Sequence, residues 1–266
     1  MKIGVAIPAY NGHIELLFSL LDSIQNQTIL PDKVVVSCSS SDDTDFDNYN
    51  EKLKTYSFLL QIITNKEKKG AAQNRNIAAS KLAEMDYITF IDADDIMHPQ
   101  RIEILLKVFE SNDSDIILHN FSEFTNDDQL FIKKFEDNEI IMKVFESNDS
   151  DIILHNFSEF TNDDQLFIKK FEDNEIVIRP NSLKQCYSGC ITHKEYCDTT
   201  GSIHHGHVSI KQNIFNIVQF PEQPEFYRKE DCVFCYRVFS LPNIKDSYIF
   251  NKLTYYKPSN TQILYF

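Results

Sequence analysis

Across its opening residues the chain alternates strand-length apolar runs with helical stripes, and this alternation limits the fold more than any other feature. Ile3 to Pro8 reads as a strand, and from Ile14 to Gln27 the residues Leu16, Leu17, Leu20, Leu21 and Ile24 recur at helical spacing to make one buried stripe. Strands over Lys33 to Ser37 and Leu59 to Ile63 follow, then a helix over Ala71 to Ala83 and a strand over Tyr87 to Ile91. An amphipathic helix over Pro99 to Glu110 places Ile102, Leu105, Leu106 and Phe109 on one face. Strands joined through helices run parallel, so the pattern predicts an α/β domain with a mostly parallel sheet and helices on both faces. Ligands of such sheets sit at the carboxyl ends of the strands.

With 266 residues and 42% hydrophobic content, the chain can bury one sizeable core or two small ones. Acids outnumber bases 40 to 26, and the net charge of −14 repels nucleic-acid phosphates, which argues against a nucleic-acid partner. For the same reason any phosphate ligand needs a cation or a local basic group beside it. The run Met1 to Pro8 is too short for a signal peptide or anchor, and no later stretch is long enough to cross a bilayer. Six cysteines without an export signal read as reduced thiols, so the expectation is a soluble cytoplasmic protein that could still work beside a membrane.

Lys107 to Ile140 recurs letter for letter as Lys143 to Ile176, offset by 36 residues. Two identical copies are fewer than a stacked array needs and have not diverged as solenoid repeats do, so the duplication reads as a recent copying event. Each copy carries a helix end (Lys107 to Asn112 in the first), an apolar strand (Ile116-Ile117-Leu118-His119) and a second strand (Leu130-Phe131-Ile132). The first copy follows a full helix, the second only Ile140-Ile141-Met142, and each is well placed at one of its ends. One copy is expected in the main sheet and the other as a projecting or edge-added unit.

Ile88-Thr89-Phe90-Ile91 ends in Asp92-Ala93-Asp94-Asp95. Carboxylates this close repel one another, and sharing Mg²⁺ or Mn²⁺ with substrate phosphates relieves the repulsion; a solvated turn is the other reading. Two further segments belong with it: Ile7-Pro8-Ala9-Tyr10-Asn11 at the end of the first strand, and Gly70 with Gln73-Asn74-Arg75-Asn76 at a helix start. Tyr10 can cover a base face or close the core edge. Arg75 offers a planar fork to phosphate or base oxygens, or forms a surface salt bridge.

In order and spacing these three segments resemble the inverting family-2 glycosyltransferases of the glycosyltransferase-A (GT-A) fold. The resemblance covers most of residues 1 to 105 and resumes near His204. It implies a Rossmann-like sheet interrupted by the duplication, with Pro8, Ala9, Tyr10, Asn11, Arg75, Asp92 and Ala93 around the donor nucleotide. Asp92 and Asp94 would hold a divalent cation, Mn²⁺ or Mg²⁺, on the diphosphate. Family members usually carry an Asp-Asp-Gly-Ser-like turn after the second strand, where an Asp meets the base; here Ser37-Cys38-Ser39-Ser40-Ser41-Asp42-Asp43-Thr44 stands there. The Ser37 hydroxyl can still bond a base edge, although the case for uridine is weaker. Asp42 and Asp43 read as a helix cap or solvated loop.

Arg228 to Val238 looks like the family's Glu-Asp motif opening a helix on the acceptor side, preceded by a similar strand and turn over Gly206 to Lys211. Asp231, with Glu230 as second choice, is the candidate catalytic base; N-terminal capping is the alternative role. Cys186, Cys190, His193 and Cys197, with His204, His205 and His207, carry zinc-type donors but no paired Cys-x-x-Cys knuckles, and lining of a polar loop or the acceptor site is the better reading. Cys232 and Cys235 read as buried thiols on an amphipathic helix. The tail Leu253 to Pro258 either folds over the donor or packs at an edge, and the C-terminal metal-shell His of some relatives is absent.

The resemblance divides the chain into a nucleotide-sugar donor half over 1–106, the duplicated segment over 107–176 with one copy in the core sheet, and an acceptor half with its tail over 177–266. It implies metal-dependent transfer of a sugar from a nucleotide-sugar to a hydroxyl of a glycan, lipid-linked or protein-linked acceptor, with inversion. Two rivals stand beside it. The altered turn and the inserted repeat would suit a catalytically silent nucleotide- or glycan-binding relative. A nucleotidyltransferase would want a Gly- and basic-rich phosphate loop, which Asn11-Gly12-His13 is not.

Overall fold

The computed structural model describes residues 1–123, 157–158, 167–168, 170–181, 207–227 and 229–256. The strand expected over Leu130 to Ile132, the Cys186 to His205 cluster, Arg228, Lys257 and Pro258 lie outside the described residues.

Strand β1 (Ile3–Tyr10) leads through a 3-10 turn into helix α1 (Ile14–Gln25). Then come β2 (Lys33–Ser39), the short helix α2 (Asn50–Leu53), β3 (Leu59–Asn65), α3 (Ala71–Ser80), β4 (Tyr87–Phe90), β5 (Ile96–Met97) and α4 (Arg101–Asn112). β6 (Ile116–Glu123) follows, then β7 (Phe157–Ser158), β8 (Phe167–Ile168), β9 (Ile178–Pro180) and β10 (Val208–Lys211). Helix α5 (Gln212–Ile217), helix α6 (Glu230–Phe239) and the long strand β11 (Asp246–Tyr256) complete the described order.

The main sheet runs β3-β2-β1-β4-β10-β6-β11-β5, with β9 paired to β11. β3, β2, β1 and β4 are mutually parallel, as the βα alternation requires. Beyond β4 the sheet is mixed, because β10 inserts antiparallel between β4 and β6 while β6 and β11 run parallel. β2 lies between two strands, and Val34, Val35 and Val36 are all buried, which is why it reads as an unbroken apolar run.

Each face carries its own core. On one, α1 buries Leu17, Leu20, Leu21 and Ile24, each leucine contributing about 1.5–3 kcal/mol of burial, against β1, β2 and α4. On the other, Phe90, Phe215, Phe220 and Phe234 form an aromatic cluster, with the Phe220 and Phe234 rings stacked at 4.1 Å, between the sheet and helices α3, α5 and α6.

Parts of both repeat copies touch this body. The first supplies the end of α4 and β6. The second supplies a separate antiparallel strand pair, in which Phe157 pairs with Ile168 and Ser158 with Phe167. It also supplies Phe171, which is buried against the core and stacks on His98 at 4.6 Å. The Gln100 side chain bonds both the N–H and the C=O of Phe171.

Candidate active site

The carboxyl ends of β1, β2 and β4 converge on the start of α3. Pro8 and Ala9 are inside β1 and Asn11 is exposed on the following turn. Tyr10 is half-buried at the strand end, with its ring 4.1 Å from that of His13. Gly12 makes this packing possible, since a Cβ there would come within 2.5 Å of the Tyr10 ring.

Three successive side chains of α3 reach three different parts of the molecule, because neighbours on a helix point about 100° apart. Asn74 ties the ends of β1 and β2: its amide donates to the Ala9 carbonyl (3.2 Å) and Ser39 Oγ (3.1 Å), and its Oδ1 accepts from Ser37 Oγ (2.9 Å). Ser37 is fully buried, so its hydroxyl is committed to this internal bond. Asn76 holds the loop before α6, donating to the Phe220 carbonyl (2.9 Å) and Glu222 Oε1 (2.8 Å) and accepting from the Phe220 N–H (3.0 Å).

Between them Arg75, 1% exposed, bridges the end of β4 and the start of α6. Its Nη2 donates to Asp92 Oδ1 at 2.9 Å and its Nη1 to Glu230 Oε1 at 3.0 Å. Burial opposes the guanidinium charge, but Asp92, Glu230 and Asp231 together outweigh it and hold the group above its ordinary range. Both terminal nitrogens of the fork are bonded to carboxylates and the group is buried, so this is not a surface salt bridge.

Past β4, Asp92 and Asp94 are partly exposed while Asp95 is buried at 3%. His13 faces both outer acids: burial lowers its proton affinity, and Asp94 and Asp92 pull the other way. Sequence reasoning did not single out His13 as a site residue, and its one signal was its place on the strand-end turn after Tyr10. Beneath the acids lies Arg101, wholly buried, donating to Thr254 Oγ1 (2.7 Å), Thr89 Oγ1 (2.7 Å) and the Phe90 carbonyl (2.6 Å). Burial pushes it down to about 9, opposed by the Asp95 charge, and it stays protonated at neutral pH.

On the other side of Arg75, α6 begins with Glu230 and Asp231, both buried, where acids suit the helix dipole. Asp231 Oδ1 accepts from the Cys232 N–H at 2.8 Å. Cys235 is buried and Cys232 partly so, both as free thiols. Asp42 caps the turn after β2, accepting from the Thr44 N–H at 3.0 Å. The structure thus gathers Tyr10, His13, Arg75, Asp92, Asp94, Glu230 and Asp231 at one end of the sheet, and leaves Pro8, Ala9 and Ser37 within its fabric.

Among the described residues no cluster of three or more His, Cys, Asp and Glu forms a protein-only metal cage. Two carboxylates on one strand end, Asp92 and Asp94, nevertheless suit a hard cation that completes its shell from substrate phosphates and water. Among the same residues no helix is long and apolar enough to cross a membrane.

The chain is 32% identical to poly(ribitol-phosphate) beta-glucosyltransferase of Bacillus spizizenii over 120 residues, which are 44% of this chain and 19% of that protein. It is 26% identical to poly(ribitol-phosphate) beta-N-acetylglucosaminyltransferase TarP of Staphylococcus aureus over 123 residues, 45% of this chain and 36% of that one. The chain spans less than half the length of these curated relatives. Among solved structures, Staphylococcus aureus TarS residues 1–349 in complex with UDP-GlcNAc superposes with a TM-score of 0.61 at 17% identity, covering 98% of this chain and 60% of that one. That likeness establishes the glycosyltransferase-A fold. The model of the family described as Glycosyl transferase family 2 matches residues 4–175, well over half the chain, and the protein belongs to that family.

Proposed function

We propose that the protein transfers a sugar from a uridine-diphosphate donor to a hydroxyl acceptor with inversion, using a divalent cation. One observation carries this reading: the buried Arg75 joins Asp92, at the end of β4, to Glu230, beside Asp231 at the start of α6, so that two acidic groups meet at one end of the sheet. UDP-bound structures of the same fold support the donor class, and relatives named for poly(ribitol-phosphate) support a polyol-phosphate or glycan acceptor.

Asp92 and Asp94 are the residues that would hold Mn²⁺ or Mg²⁺, which when bound offsets the charge of the departing diphosphate in an acidic protein. Tyr10, held above Gly12, presents a ring face to the base. Ser37 is turned to Asn74, so base recognition falls to Tyr10 and the neighbouring backbone. Asp231 takes the proton of the acceptor hydroxyl as its oxygen forms the new bond to the anomeric carbon and the bond to the diphosphate breaks. Attack from the face opposite the leaving group inverts that carbon.

A panel of nucleotide-sugars with Mn²⁺ and candidate polyol-phosphate acceptors tests the proposal by the product released. UDP release with acceptor-dependent turnover is the expected result. Pyrophosphate release would indicate nucleotidyl transfer, and UDP binding without turnover would indicate a silent relative; either contradicts the reading.

A further inference from the structure

We infer that Arg75 is a positioning residue that fixes the proposed base Asp231 relative to the donor strand end, and that Glu230 is its anchor rather than a second base. The inference rests on the transferase reading above. Glu230 and Arg75 are 155 positions apart in sequence, and their 3.0 Å bond is a direct side-chain link between α3 and the first turn of α6. Phe220, held by Asn76 in the loop before α6, lies under the guanidinium, with Cζ 5.4 Å from the ring centroid.

The chemistry of the fork makes this a rigid link. A guanidinium is planar, and its two terminal nitrogens sit at a fixed separation, so carboxylates bonded to both are held at a fixed spacing. An ammonium is a single point on a flexible stem and cannot set that distance. Arg75 is 1% exposed and is braced by its neighbours, with Asn74 bonded to the ends of β1 and β2 and Asn76 to the loop before α6. The guanidinium therefore cannot yield without moving α3. Glu230 and Asp231 share one helical turn, so anchoring the first sets the position of the second.

The experiment compares Arg75→Met, Glu230→Ala, their double variant, Glu230→Gln and Asp231→Asn by kcat, donor KM and melting temperature, with UDP release as the readout. Glu230→Ala is expected to lower kcat about 100-fold, the scale of a misplaced catalytic group, with donor KM nearly unchanged because Asp92 keeps its partner. Arg75→Met is expected to lower kcat similarly and also raise donor KM, and the double variant to be no worse than Arg75→Met, since the same link is cut once. Glu230→Gln keeps a carbonyl oxygen for Nη1 and should recover most of the activity, while Asp231→Asn should be inactive. Multiplying losses in the double variant, or a Glu230→Gln protein as inactive as Asp231→Asn, overturns the role given to Arg75 and leaves the transferase reading standing. A wild-type chain that releases UDP from no donor overturns that reading and this role with it.

Discussion

Arg101 donates to the carbonyl oxygen of Phe90 at 2.6 Å, two residues before the first acid of the turn, and its charge is opposed within the fold by Asp95. The cluster of acids is therefore not uniform. Asp92 and Asp94 are partly exposed, whereas Asp95 is the buried counter-charge of a buried cation. Arg101→Met removes the donor to Thr254, Thr89 and the Phe90 carbonyl and the buried cation opposite Asp95, and should cost about 3–5 kcal/mol in urea denaturation. A loss below about 1 kcal/mol would show that the buried cation does not hold the strand end.

Asp94 is partly exposed at the strand-end turn and contributes little to the core. Asp94→Ala should leave the melting temperature near that of the wild type while abolishing transfer and Mn²⁺-dependent nucleotide binding together. Retained turnover in this variant would remove Asp94 from the cation site.

Asp113 bonds Lys211 (2.8 Å) and Lys245 (2.7 Å), and these hydrogen bonds, with the two positive charges, lower it from 3.8 to about 2. Its folded value is below its unfolded one, so the stabilisation is present in full above about pH 4 and is lost as pH falls through 2. The group is exposed, and salt should weaken the effect. Asp113→Asn keeps a residue that tolerates the left-handed backbone at φ 47°. The wild type should melt above this variant at pH 5 and low salt, with the gap closing toward pH 2; a gap independent of pH would exclude the ion pairs as its source.

The identity of the two copies makes deletion unusually clean. Removing 36 residues in phase from anywhere within 107–176 yields the same sequence. That chain keeps the end of α4, β6 and the Phe171 contacts, while the connection from β6 to Lys170 becomes much shorter. Loop-closure entropy then favours the fold by about 1 kcal/mol. Circular dichroism should be preserved and the melting temperature equal or higher; a chain that fails to fold would show that the extra copy is needed.

Much of this could be read without a structure. The α1 stripe, the valine run of β2 and the acids closing β4 are local patterns, set by the period of a helix or strand and by the solvation of charge, and they appear where expected, except that Leu16 is only partly buried while Ile14 and Phe18 join the stripe. Element ends moved by a few residues: the helix expected over Ala71 to Ala83 ends at Ser80, and that over Pro99 to Glu110 occupies Arg101–Asn112. Terminal residues are governed by caps and tertiary bonds, such as the Gln73 side chain that accepts from the Gly70 N–H.

The chain's own residue order determined the βα units, the strand ends where chemistry gathers and the acids available there, because periodicity and charge act over a few residues. Only the tertiary structure decided that β10 would enter antiparallel between β4 and β6, that Ser37 would turn to Asn74, and that Arg75 would close on Asp92 and Glu230. Those outcomes depend on which distant groups satisfy a buried donor or charge. That choice is made by the packing of the whole body and leaves no periodic trace along the chain.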